Sequence, residues 1–134
     1  MTERLTSKEY QAQSSKPKRS KYGSKRTMVD GIMFDSKAEA ARYVFLKARL
    51  DAGEISHLEL QPVFKLSNGT RPILIKSKGY PNGRQVKYVA DFAYFDPVEN
   101  KRVIEDCKGF RTKEFILKKA FVEAQFPGVK IREV

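Results

Sequence analysis

The 134-residue chain has one cysteine, Cys107, and one histidine, His57, and both counts exclude chemistry. A lone thiol cannot build an internal disulfide framework or a cysteine-rich zinc centre. A lone imidazole argues against both a histidine-based metal site and a Ser/His/Asp relay, so His57 reads as an ordinary loop residue. No apolar run approaches the roughly 18 residues that cross a bilayer, and the N-terminus lacks the hydrophobic core of a signal peptide. The expectation is a cytoplasmic protein. There is no internal repeat and no glycine-rich phosphate loop of the P-loop or dinucleotide type.

What the chain has in excess is positive charge. Lys and Arg number 27 against 16 Asp and Glu, a formal net charge of +11 with a sequence pI near 9.8. Such a balance points to a polyanionic partner, nucleic acid first and an anionic membrane surface second. The charge is uneven. Residues 1–26 carry eight Lys/Arg against Glu3 and Glu9, and residues 27–134 carry the other 19 basic and 14 acidic side chains. The first stretch has no periodic apolar positions, cannot offset the entropy of ordering, and is expected to be a flexible basic arm. Lys16, Lys18, Arg19, Lys21, Lys25 and Arg26 would track phosphates there, with Tyr10 and Tyr22 available to stack on bases. The alternative is a solubilising tail. Residues 27–134, in a chain that is 40% hydrophobic, suffice for one domain with a real core.

Within that domain, Val29 to Phe34 is a short apolar piece around a turn-prone Asp30-Gly31. Ser36-Lys37-Ala38-Glu39 has the capping-box pattern, and Ala38, Ala41, Val44, Phe45 and Ala48 recur at helical spacing until Gly53. Glu39 has two readings, a cap on the Ser36 amide or a functional carboxylate in the first turn. Glu59–Leu66 and Arg71–Lys76 suggest a hairpin about Ser67–Thr70. Lys78–Arg84 reads as a basic loop that either touches a nucleic acid backbone or joins two strands. A second helix is expected from Thr112 to Gln125, with Phe115, Ile116, Ala120 and Phe121 as its buried stripe. Pro127-Gly128 stops it, and Val129–Val134 alternates as a last strand. The order of helix, strands, helix and strand suits an α/β or α+β sheet flanked by helices.

The most informative segment runs from Val86 to Lys108. Val86–Asp96 and Arg102–Lys108 are rich in aromatic and β-branched residues, and Pro97–Asn100 separates them as a turn. Pairing Asp96 with Lys101 and walking back five steps sets Asp91 opposite Asp106, on the face shared by Ile104 and Lys108, with Glu105 and Cys107 pointing the other way. Opposed carboxylates are destabilising unless a cation lies between them. A divalent metal resolves the conflict, and oxygen ligands favour Mg²⁺ or Mn²⁺. The alternative is two acids facing solvent on an edge strand, with Lys108 as their salt-bridge partner.

A helix-borne Glu, a strand Asp, and then Asp-x-Lys in the paired strand resemble the PD-(D/E)xK restriction-endonuclease-like superfamily. Lys21-Tyr22-Gly23, Gly31–Ala40, Leu58–Pro62, Tyr88–Phe92 and Val103–Gly109 further resemble its small phage- and prophage-encoded nucleases, related to Holliday-junction resolvases and transposase nuclease subunits. The resemblance spans residues 21–134. It implies a mixed sheet flanked by helices and a Mg²⁺- or Mn²⁺-dependent endonuclease acting on DNA, branched DNA in particular, as a homodimer. It makes Asp91, Asp106 and Glu39 metal ligands together with the carbonyl of Cys107, and makes Lys108 the residue that positions the attacking water. Gln61 would lie near the site, and Arg111, Lys113 and Lys118 would add affinity for phosphates. Ala90 stands where the motif's proline would be, and Asp106 is the shorter of the two permitted acids. Two other readings remain open: a non-catalytic nucleic-acid-binding module, and an interaction subunit that keeps the nuclease fold.

Overall fold

The computed structural model describes residues 25–134, as two compact units divided between Ala40 and Ala41. The basic arm, including Tyr10, Lys16, Lys18, Arg19, Lys21 and Tyr22, lies almost wholly outside the described residues; its last two, Lys25 and Arg26, are exposed.

In the first unit, β1 (Thr27–Val29) and β2 (Ile32–Phe34) form an antiparallel hairpin with Val29 opposite Ile32. Asp30 and Gly31 both have positive φ, 52° and 77°, as a two-residue turn between right-twisted strands requires. Helix α1 (Lys37–Asp51) begins in this unit and continues into the second. Its start is capped by Ser36, whose Oγ accepts the Glu39 amide at 3.0 Å.

The second unit is built on a mixed sheet of four strands. β3 (Ser56–Leu60) pairs antiparallel with β8 (Phe92–Asp96), β8 antiparallel with β9 (Lys101–Asp106), and β10 (Ile131–Glu133) runs parallel to β9. Helix α2 (Lys113–Gln125) makes the crossover between β9 and β10 that parallel pairing demands. Two smaller ribbons complete the unit, β4 (Val63–Lys65) with β7 (Lys87–Val89), and β5 (Leu74–Ser77) with β6 (Tyr80–Gln85).

Alternation along β8 and β9 gives the sheet two differently used faces. Ala93 and Ile104, paired across the strands, join Ile131, Phe64, Leu66 and Tyr88 in a core covered by Phe115 and Val122 of α2. The opposite face carries Phe92 and its partner Glu105, and there Arg42 of α1 reaches the sheet. Gln125 ties the end of α2 to the segment after β4, accepting the Ser67 amide at 2.9 Å and donating to the Lys65 carbonyl at 3.2 Å.

Three expectations are corrected. First, Leu74–Ser77 does not pair with residues 59–66. The turn at Ser67–Pro72 forms, held by Asn68 Oδ1 accepting the Thr70 and Arg71 amides, but the chain then turns away to pair with Tyr80–Gln85. The expected loop at 78–84 is therefore mostly the strand β6. Second, Val86–Asp96 is not one strand: Ala90 and Asp91 break it, because β7 belongs to the ribbon with β4 and β8 to the main sheet. Third, both helices expose much of the apolar stripe the spacing nominated. Ala41, Val44, Phe45 and Ala48 of α1 face solvent while Tyr43 and Leu46 are buried; on α2, Ile116, Ala120 and Phe121 are exposed while Phe115 and Val122 are buried. Each helix carries two apolar stripes at helical period, and periodicity cannot say which one meets the sheet.

Candidate functional site

The β8–β9 register holds as read. Asp96 pairs with Lys101 and the ladder runs back to Phe92 opposite Glu105, which leaves Asp91 and Asp106 at the next step. Pro97–Asn100 makes the turn, with Asn100 at φ 55° and Asp96 Oδ1 accepting the Val98 amide at 2.9 Å.

Asp91 sits where the broken strand is fastened from both sides. Its amide donates to the Glu105 carbonyl at 3.0 Å, its carbonyl accepts the Gln61 amide at 2.9 Å, and Ala90 donates to the Pro62 carbonyl. Its Oδ2 accepts the Cys107 amide at 2.7 Å, so the residue between the second acid and the lysine helps to hold the first acid. Gln61 is exposed, and its φ of 53° is costly for a residue with a side chain. The sequence placed Gln61 near the site, and its backbone is what reaches it.

Asp106 ends β9 with only 1% of its surface exposed. β9 lies between β8 and β10, so the reading of Asp106 as a solvent-facing acid on an edge strand is wrong. Three groups meet its carboxylate. Lys108 Nζ stands 3.2 Å from Oδ1, the Tyr88 hydroxyl donates to Oδ2, and the charge of Asp91 acts on it unfavourably. Burial is the largest influence and Asp91 adds to it, while Tyr88 and Lys108 pull the other way; the carboxyl is still pushed up from 3.8 to about 6. The Tyr88 hydroxyl is raised well above its ordinary range, by burial first and then by its bond to Asp106.

Tyr88 was not among the residues the sequence nominated, for a definite reason. In one continuous strand, residues 88 and 91 point to opposite faces. The break at Ala90–Asp91 changes that parity and lets Tyr88 reach Asp106. The other omission was the second buried carboxylate. Glu105, fully buried, accepts Arg42 Nε at 2.8 Å and Arg42 Nη2 at 2.7 Å, and the Tyr94 hydroxyl also donates to it. Burial and that bond push the Tyr94 hydroxyl up to about 12. The signal was present in the sequence as an arginine within the apolar helical pattern.

Glu39 is buried in the first turn of α1, and its bonds there are local. Its Oε1 accepts the Asp35 amide at 3.1 Å, one residue before the Ser36 amide that a capping box would use. Among the described residues, no three His, Cys, Asp or Glu side chains are gathered closely enough to hold a metal ion. What the second unit brings together is a pair of carboxylates, Asp91 and Asp106, with Lys108 and Tyr88.

That pair suits a hard divalent cation in its chemistry. The donors are carboxylate oxygens, two of them adjacent, and the one lysine at hand leaves Asp106 reluctant to ionise. A further positive charge is what such a pair accommodates most readily.

An open groove of about 530 Å³ is lined by Tyr88 and Lys108, the two neighbours of Asp106, together with Lys87, Arg84 and Lys118. Of the nominated phosphate contacts, Lys113 is exposed, Arg111 is paired with Glu133 at 3.0 Å, and Lys118 is paired with Glu114 at 3.0 Å.

No helix among the described residues is long and apolar enough to cross a membrane. Residues 19–134 match the family model described as a protein of unknown function, DUF1064, and the chain belongs to that family. No curated protein and no solved structure matches the chain.

Proposed function

We propose that this DUF1064 member is a Mg²⁺- or Mn²⁺-dependent DNA endonuclease of the restriction-endonuclease-like kind, hydrolysing phosphodiester bonds with a preference for branched DNA. One observation carries the reading: a desolvated Asp106 placed beside Asp91 and in reach of Lys108. A divalent cation held by Asp91 and Asp106, with the Cys107 carbonyl as a further ligand, would neutralise charge on the scissile phosphate and lower the pKa of water. Lys108, which also lies 4.5 Å from the centre of the Phe115 ring, is held in place to set a positive charge beside the phosphate. Tyr88 fixes the orientation of the Asp106 carboxylate through Oδ2 and leaves Oδ1 toward Lys108.

The experiment is a cleavage panel of four-way junction, fork, flap and linear duplex, with Mg²⁺ or Mn²⁺ and a chelator control. Nicking that requires the metal and favours the junction is expected. Nicking of all four alike would remove the branched-DNA preference, and no nicking under any condition would sink the nuclease reading in favour of a non-catalytic nucleic-acid-binding role.

Symmetrical cutting of a junction needs two sites, and a two-fold dimer supplies them. The exposed face of α2 suits a second copy of this chain. Ile116 (44% exposed), Leu117 (60%) and Phe121 (43%) flank Ala120, and reversing the helix on itself sets Leu117 against Ala120 and Ile116 against Phe121. Leu117 then meets the small Ala120 while Ile116 and Phe121 make an apolar contact, each pair occurring twice as an isologous interface requires. Leu117→Glu is expected to convert a dimer to a monomer in sedimentation without unfolding it. A wild-type protein that sediments as a monomer at all concentrations would contradict the pairing.

A further inference from the structure

The ribbon β5–β6 contributes no strand to the main sheet, and the proposed chemistry does not use it. Every residue of β5 is exposed, and Leu74, Ile75 and Tyr80 keep about half of their surface in solvent. A free-standing two-stranded ribbon with exposed apolar residues is an expensive thing to maintain for packing alone. Its charge is one-sided. From Leu60 to Ala90 the chain has no acidic residue and six basic ones, of which Lys76, Lys78 and Arg84 lie on the ribbon or its turn.

The ribbon is also aimed. Ile75 pairs with Arg84 across it, and both line the groove that Tyr88 and Lys108 also line. The Arg84 guanidinium stacks 4.9 Å from the centre of the Tyr80 ring, which orders a long cationic side chain and sets a planar aromatic group beside it. Gly83 makes the stacked pair of strands possible: it has φ +97°, and a Cβ there would lie 3.0 Å from Leu74 Cβ on the facing strand. The same groove is also lined by Lys87 and Lys118, and its one acid, Glu114, is paired with Lys118.

From this we infer that β5–β6 is a DNA-gripping ribbon: Lys76, Lys78 and Arg84 hold backbone phosphates of a duplex arm, and the groove beside them leads that strand to Lys108. A two-stranded ribbon has the width that the major groove of B-DNA, about 12 Å, admits. Lys and Arg on such an element contact phosphates and give sequence-independent affinity. The inference rests on the nuclease reading for the identity of the polyanion and adds the element that engages it.

The test compares the full-length wild type and the triple variant Lys76→Ala/Lys78→Ala/Arg84→Ala for binding to a fluorescein-labelled DNA duplex across a salt series. The triple variant is expected to fold as wild type does by circular dichroism. It should bind about 100-fold more weakly, with a log–log salt slope shallower by about 3, since each lost phosphate contact removes nearly one unit. If wild type binds and nicks DNA while the triple variant keeps its affinity and slope, the ribbon proposal falls and the nuclease reading stands. If wild type binds phosphatidylglycerol vesicles but neither binds nor nicks DNA, both fall.

Discussion

Asp106→Asn should abolish nicking, by on the order of 10³-fold or more, and at the same time make the metal-free protein more stable at neutral pH. The first effect follows if Asp106 holds the cation, since a ligand worth several kcal/mol of transition-state stabilisation corresponds to about a decade of rate per 1.4 kcal/mol. The second follows from burial. The folded protein holds the Asp106 proton more tightly than the unfolded chain does, with a carboxyl at about 6 against an ordinary value of 3.8. A group whose pKa is raised on folding contributes stability at pH below its unfolded value, and that contribution is lost as pH rises through the folded value. The window is therefore pH 4 to 6, and a difference of about two units is worth about 3 kcal/mol. Asn still accepts the Tyr88 hydroxyl but never ionises. In the presence of chelator, thermal melts of wild type should lose stability from pH 4 to pH 7 relative to the variant, and the variant should melt higher at pH 7.5. Equal melting profiles would show that the carboxylate is comfortable as an anion without any metal.

Arg42→Ala should cost about 3 to 5 kcal/mol in chemical denaturation, since removing one partner of a buried ion pair leaves the other charge uncompensated. Glu105 is fully buried, and both of its oxygens are held by the Arg42 fork with Tyr94 as a third donor. Arg42 keeps 27% of its side chain in solvent, so water can partly replace it and the lower end of that range is the better figure. Arg42→Lys should recover only part of the loss, because an ammonium cannot make the two parallel bonds. The double variant Arg42→Met/Glu105→Gln should be less destabilised than Arg42→Ala alone. A loss below about 1 kcal/mol for Arg42→Ala would mean that Glu105 gains no net stability from the fork, as exposed pairs typically do not.

The sequence was most legible where local rules act without competition. The turn at Pro97–Asn100 fixed the β8–β9 register, and register alone placed Asp91 beside Asp106. Thr112 as the cap of α2, with its Oγ1 accepting the Phe115 amide, and Asp30-Gly31 as a turn were equally local. Legibility failed where long-range packing chose between options of similar local quality. Ile75 and Arg84 pair because the chain leaves the turn at Ser67–Pro72 in a direction no local signal encodes. The break at Ala90–Asp91 arises from two different sheets recruiting the two halves of one β-prone run, and it moved Tyr88 into the site. The exposed stripes of α1 and α2 had the right period and the wrong side.

Calorimetric titration with Mn²⁺ tests, without relying on any DNA substrate, whether Asp91 and Asp106 stand together to hold a divalent cation. Wild type at pH 7.5 is expected to take up Mn²⁺ saturably, and Asp91→Asn/Asp106→Asn, folded as judged by circular dichroism, should take up none at that site. Uptake by the double variant equal to that of wild type, or no uptake by wild type, would mean that these two carboxylates do not hold a cation.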